Sequence, residues 1–195
     1  MPNCSRLRRV RLLLALSAAT VLATPPMTAH AQDPRAASTK AATDAMARFA
    51  WMAGAWEGPA SVQNAGRTFT LTQREEVRTS ARGTALIIEG RGSMRMAPDQ
   101  PEREVFAAAG VLTYDATTSR YKFFSASGSG QAGESQIEPL GPDGLVWGFS
   151  DAQGHRTRYT ITRTSAGAWH ELGETSTDGG TTWTKIMEMT LTKRP

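Results

Sequence analysis

Two histidines, two opposable glutamates and two basic residues are the side chains of this chain whose types and positions could do chemistry. His155 and His170 are the histidines that remain once residues 1–31 are set aside, for a reason given below. His170 sits in a run of alternating residues, which puts its imidazole on one face of a strand. Glu171 and Glu188 lie in neighbouring runs, and two carboxyls brought face to face titrate apart, as acid–base catalysis needs. Arg163 and Lys185 offer cations to an anionic head group. A buried arginine in an R-x-Y pair would read a carboxylate better, but the residues two before Tyr114, Tyr121 and Tyr159 are Leu112, Ser119 and Thr157. No spacing of histidines and carboxylates marks a metal site, and the residues support no catalytic assignment.

The elements that position these groups follow from the first residues of the chain. Arg6, Arg8, Arg9 and Arg11 precede an apolar run, Leu12 to Ala23, and a Thr-Pro-Pro break leads to Ala29-His30-Ala31. A charged start, a short apolar core and an A-x-A exit predict a cleaved export signal, too short to span a bilayer. The remainder, from Gln32, is expected to be secreted or periplasmic, with no transmembrane segment. The only cysteine, Cys4, lies in the signal, which leaves the mature chain without thiol chemistry or disulfides. The 22 Lys and Arg against 18 Asp and Glu also mislead, because the four signal arginines account for the whole excess. A neutral mature chain with no basic stripe lacks the footprint of a nucleic-acid binder.

Residues 32–43, rich in Ala, Ser and Thr, read as a flexible leader, and residues 44–195 as one domain. Asp44 is expected to cap a short helix over Ala45 to Met52, ended by Gly54. Everything later alternates between Gly, Pro and Asp turns, which predicts strands at about 55–63, 67–79, 84–95, 104–114, 119–128, 132–140, 144–150, 156–165, 168–176 and 182–193. Short connections between ten strands predict an all-β antiparallel meander closed into a barrel, since closure removes unpaired edges.

The last strands can be threaded. A register that sets Leu172 opposite Met187 and Glu174 opposite Lys185 gathers Leu145, Trp147, Phe149, Tyr159, Ile161, His170, Leu172, Trp183, Met187 and Met189 on one face. Threonines 160, 162, 164, 175, 184 and 190 take the other. The same register opposes Glu171 to Glu188 on the threonine face. Slipping the last hairpin by one residue would pair His170 with Glu188 and break the apolar face. In the second strand, Glu75 and Glu76 between Arg74 and Arg78 read as an exposed or salt-bridged face.

Two motifs carry resemblances. Ser176-Thr177-Asp178-Gly179-Gly180-Thr181-Thr182-Trp183 resembles the Asp-box of sialidase-type propellers. A propeller repeats such a unit over several blades, whereas one box in this chain predicts a structural hairpin turn. Gly54-Ala55-Trp56-Glu57-Gly58-Pro59-Ala60 resembles the G-x-W signature of lipocalins and other calycins, and the opening of nitrobindin-like barrels, with Pro59-Ala60 departing from the longer motif. With the preceding helix, the ten strands, Tyr114-Asp115 leading into Arg120-Tyr121 and the final Asp-Gly-Gly-x-x-Trp, the chain resembles an exported bacterial calycin-like barrel family of unknown function. The resemblance covers about Phe49 to Lys193 and implies a fold, with the tryptophan plugging one end, but no catalytic residues.

The function expected from these observations is non-catalytic binding of a small apolar or amphipathic ligand. Its expected lining is Phe123, Trp147, Tyr159, Ile161, His170, Leu172 and Met187, with Arg163 and Lys185 meeting a head group. The resemblance to nitrobindin-like barrels makes a haem barrel using His170 the alternative. A filled barrel serving a structural or interaction role at the cell envelope is another.

Overall fold

The computed structural model describes residues 33–195. The reading of residues 1–31 as an export signal lies outside the described residues. A helix, α1 (Pro34–Met46), runs into a 3-10 segment, Ala47–Met52. Ten strands follow: β1 (Gly54–Asn64), β2 (Arg67–Ser80), β3 (Ala85–Met94), β4 (Arg103–Asp115), β5 (Arg120–Ser127), β6 (Ala132–Leu140), β7 (Gly144–Ser150), β8 (Arg156–Arg163), β9 (Trp169–Ser176) and β10 (Thr184–Lys193). Each pairs antiparallel with its sequence neighbour, and β1 pairs with β10 to close the barrel. The all-β, ten-stranded antiparallel barrel expected from the alternation is the observed architecture, with strand ends within two residues of those read from the turns. Among the described residues no helix is long and apolar enough to cross a membrane.

The helix begins earlier than the sequence suggested, inside the segment read as a flexible leader. Asp33 caps it by accepting from the Arg35 N–H at 3.0 Å, and Pro34 stands at its first position. Ala36, Ala37, Ala41, Ala42 and Ala45 then carry it, as the residue type with the highest helix propensity. Asp44, expected as the cap, instead lies on the helix surface beside Lys40.

The helical segment lies across one end of the barrel. Tyr121 Oη donates to Ala45 O at 2.9 Å, Trp51 Nε1 to Asp143 O at 2.9 Å, and an Arg48 guanidinium N–H to Gly141 O. Beneath it Trp51, Trp56 and Trp169 meet edge to face, with centroids 5.7–5.9 Å apart. Trp56 satisfies its indole N–H on Met52 O at 2.7 Å, as a buried indole must. Phe49 at 0% exposure and Trp56 and Trp169 at 2% are the centre of the core.

The register of the C-terminal strands differs from the expected one. β7 and β8 pair as expected, Leu145 with Ile161 and Trp147 with Tyr159. Across β8 and β9 the pairing moves by one residue, so Tyr159 faces Gly173 and Ile161 faces Glu171. In the last hairpin Lys185 faces Glu174 as predicted, then a bulge before Met187 sets Met187 opposite Gly173 and Met189 opposite Glu171. Trp169, Glu171 and Gly173 therefore point inward, and His170 and Leu172 outward.

Side-chain volume accounts for this choice. Burying an indole of 150–250 Å² is worth roughly 4–6 kcal/mol by area, against about 1.5–3 for a leucine. Gly173 also matters, because a Cβ there would lie 2.9 Å from the Tyr159 ring. A leucine in that place would collide with the tyrosine. The cost of this register is Glu171, which is carried inside with Trp169.

Candidate functional site

The residues expected to line a binding site divide into three groups. Phe123, Trp147, Tyr159, Ile161 and Met187 share the inner face. Ile161 is buried in the plugged half, whereas the aromatic residues and Met187 lie nearer the open half and are partly buried. Trp147 stacks on Tyr159 with centroids 4.4 Å apart and planes 17° apart, and Phe123 meets Trp147 edge-on at 4.9 Å. Together they form an aromatic wall.

The second group corrects the expectation. His170 and Leu172 stand on the outer face, because the register places Trp169 and Glu171 inside. His170 Nε2 lies 3.2 Å from Glu188 Oε1, and Lys185 Nζ donates to Glu188 Oε2 at 2.8 Å. The Lys185 ammonium, then His170, hold the Glu188 carboxyl below its ordinary range. Lys185 is therefore an exposed member of an outer cluster and meets no interior head group. Haem ligation from inside the barrel through His170 does not fit this geometry. His155, in the exposed turn before β8, pairs with Asp151. The acid–base pair envisaged from Glu171 and Glu188 also dissolves, since the two lie on opposite faces.

Arg163 makes the third group. It shares the inner face by register, opposite Trp169, but it is exposed at the plugged end of β8. It cannot reach the aromatic wall.

What the sequence reading missed is a buried acidic pair. Glu75 and Glu171 point inward from β2 and β9 and are 7% and 6% exposed. Glu75 Oε1 accepts from Gln73 Nε2 at 2.7 Å, and Glu171 Oε2 accepts from Trp169 Nε1 at 3.3 Å. The Glu75 carboxylate lies over Gly90, where a Cβ would be 2.7 Å from its Oε1, so glycine is what makes room for it. Loss of hydration raises Glu75 to about 7 despite the Gln73 hydrogen bond. Burial and then the charge of Glu75 raise Glu171 to about 8. Burial also pushes the Tyr159 phenol up, and the Glu171 charge adds to it. Near neutral pH the pair holds protons that ordinary carboxyls would have released.

The signal for this pair was present in strand parity. Phe69, Leu71, Gln73, Glu75 and Val77 alternate on one side of β2, and only an inward face explains the apolar members. Arg74, on the other side, pairs with Glu57 at 2.7 Å on the outer wall. The exposed reading of this segment holds for Arg74 and fails for Glu75.

The barrel interior changes character along its axis. At the far end from the tryptophans, Phe106 and Phe149 occupy inner-face positions yet are 44% and 53% exposed. A ten-stranded barrel is wider than the eight-stranded kind that side chains can just fill. Two open depressions of about 590 and 470 Å³ lie on the outer wall, over β1–β3 and β3–β5. They gather mainly outward threonines, alanines and paired charges, with no convergent chemistry. No protein-family model matches this chain, and no curated protein matches its sequence.

Proposed function

We propose that this chain is an exported, non-catalytic barrel that binds a small apolar or amphipathic molecule in its open half, entering past Phe106 and Phe149. The observation that carries the reading is the gradient of burial along one inner face. Phe49, Trp56 and Trp169 are fully packed at one end, while large apolar side chains remain uncovered at the other. Apolar surface left facing inward is stabilised when a ligand covers it, at roughly 25 cal/mol per Å². The partly buried wall of Phe123, Trp147, Tyr159 and Met187 supplies that surface. Export rests on the charged start, apolar run and Ala29-His30-Ala31 exit of the sequence. The resemblance to calycin-like barrels supports the same reading.

The test is native mass spectrometry of protein purified from its own host. The expected result is a mass excess from a non-covalent small molecule, lost when Trp147 and Tyr159 are both replaced by alanine. A bare chain mass, together with no heat on titration with octanol, would leave a filled barrel with a structural or interaction role.

A further inference from the structure

We infer that the barrel interior selects small organic cations: a protonated amine on an apolar body, its nitrogen donating to Glu75 and Glu171 and its body lying against Phe123, Trp147 and Tyr159. The inference rests on the interior-binding reading above and adds the chemical class of the ligand. It replaces the anionic head group expected from Arg163 and Lys185.

Charge placement on the inner face is the first ground. Between the tryptophan plug and the rim, Glu75 and Glu171 are the only charged side chains at inner-face positions among the described residues. Arg67 and Arg103 stand at the open rim, and Arg163 and Lys193 at the plugged end. An anion entering the interior would favour the protonated form of these acids, whereas a cation would favour their ionised form, which is both its counter-charge and its hydrogen-bond acceptor.

Unused acceptors are the second ground. Gln73 engages Glu75 Oε1 and Trp169 engages Glu171 Oε2. Glu75 Oε2 and Glu171 Oε1 have no hydrogen-bond partner among the described residues, although both side chains are more than nine-tenths buried. Neither oxygen is sealed from solvent, since among the described residues only Arg48 Nε is both fully buried and without a partner, so each can meet a donor that enters, and an ammonium brings three.

Aromatic faces are the third. Tyr159 lies one inner-face step nearer the open end than Ile161, which is paired with Glu171, and Trp147 stacks on it. Indole and phenol faces attract cations as well as apolar carbon. An acidic pair bordered by aromatic rings suits an amine better than a carboxylate, which its ionised form repels.

Calorimetric titration of the purified protein with octylamine, octanol and octanoate at about pH 9, where the two carboxyls are largely ionised and the amine is still an ammonium, tests this, because the three probes share a chain and differ in the head group. Octylamine should bind about tenfold or more tighter than octanol, the worth of a charge-assisted hydrogen bond, and octanoate weakest. The preference for the amine should collapse towards the octanol value in Glu171→Gln and in Glu75→Gln, each shown to be folded by circular dichroism. Octanol or octanoate binding as tightly as octylamine to the unmodified protein would overturn the inference and leave interior binding standing. A preference for the amine that persists in both variants would overturn it too. Failure of all three probes to bind would remove the interior-binding reading itself.

Discussion

A carboxyl taken out of water keeps its proton to higher pH, and that proton is a statement about stability as well as about ligands. Glu75 and Glu171 stand at about 7 and about 8 against an ordinary value of 4.5. The folded chain therefore binds these protons more tightly than the unfolded chain does. Their effect on stability is most favourable below pH 4.5, declines as pH rises and levels off above about 8. For Glu75 alone the loss is on the order of 3 kcal/mol. Urea unfolding followed from pH 4.5 to 8.5 is expected to show this fall, and Glu171→Gln should flatten it and raise stability at pH 8. A fall of equal size in Glu171→Gln and Glu75→Gln would mean that other groups cause it.

The β9–β10 hairpin shows how a short element can set the environment of a distant residue. Its turn is built on Asp178, which accepts from the N–H groups of Thr181 and Thr182 at 3.0 and 2.9 Å and from the Thr182 hydroxyl at 2.6 Å. Ser176 Oγ donates to the same carboxylate and accepts from the Gly180 N–H. Gly179 and Gly180 take φ of 73° and 100°, where a side chain would be strained. These hydrogen bonds hold the Asp178 carboxyl well below its ordinary range. On the outer wall Arg158 lies over the Trp183 ring at 3.9 Å and also pairs with Glu174. The turn fixes where pairing starts, and the bulge before Met187 then shifts it by one residue. Asp178→Ala is expected to speed amide exchange at Thr181 and Thr182 and to lower the melting temperature. Unchanged exchange at both amides would show that the backbone holds the turn without the carboxylate.

The barrel of residues 33–195 has one end whose apolar side chains are fully packed and one at which Phe106 and Phe149 stay exposed. The packed end includes the 3-10 segment, and Phe49 on it meets Tyr121 edge-on with centroids 5.3 Å apart. Phe49→Ala should cost about 3–5 kcal/mol, as expected for a fully buried phenylalanine. Phe149→Ala at the open end should cost under about 1 kcal/mol. Urea unfolding of the two variants side by side measures the asymmetry, and equal losses would refute it.

Local chemistry in the chain was enough to determine the ten strands, their turns and the closed antiparallel wall. Alternation and the Gly, Pro and Asp punctuation report directly on backbone geometry. The pairing of β7 with β8 was legible for the same reason, since Trp147 and Tyr159, Leu145 and Ile161 agree on a face without help. Tertiary structure alone decided which face of β9 turns inward. Two alternating sets competed there, His170 with Leu172 against Trp169 with Glu171, and the apolar pattern of the neighbouring strands pointed to the first. The outcome depended on the volume left beside Tyr159, which only Gly173 fits, and on the vacancy beneath the helical plug that Trp169 fills. Glu171 went inside as the neighbour of those two residues in register, and Glu75 found its place over Gly90. A strand pattern records how often side chains change sides, whereas the space available on each side is a property of all ten strands at once.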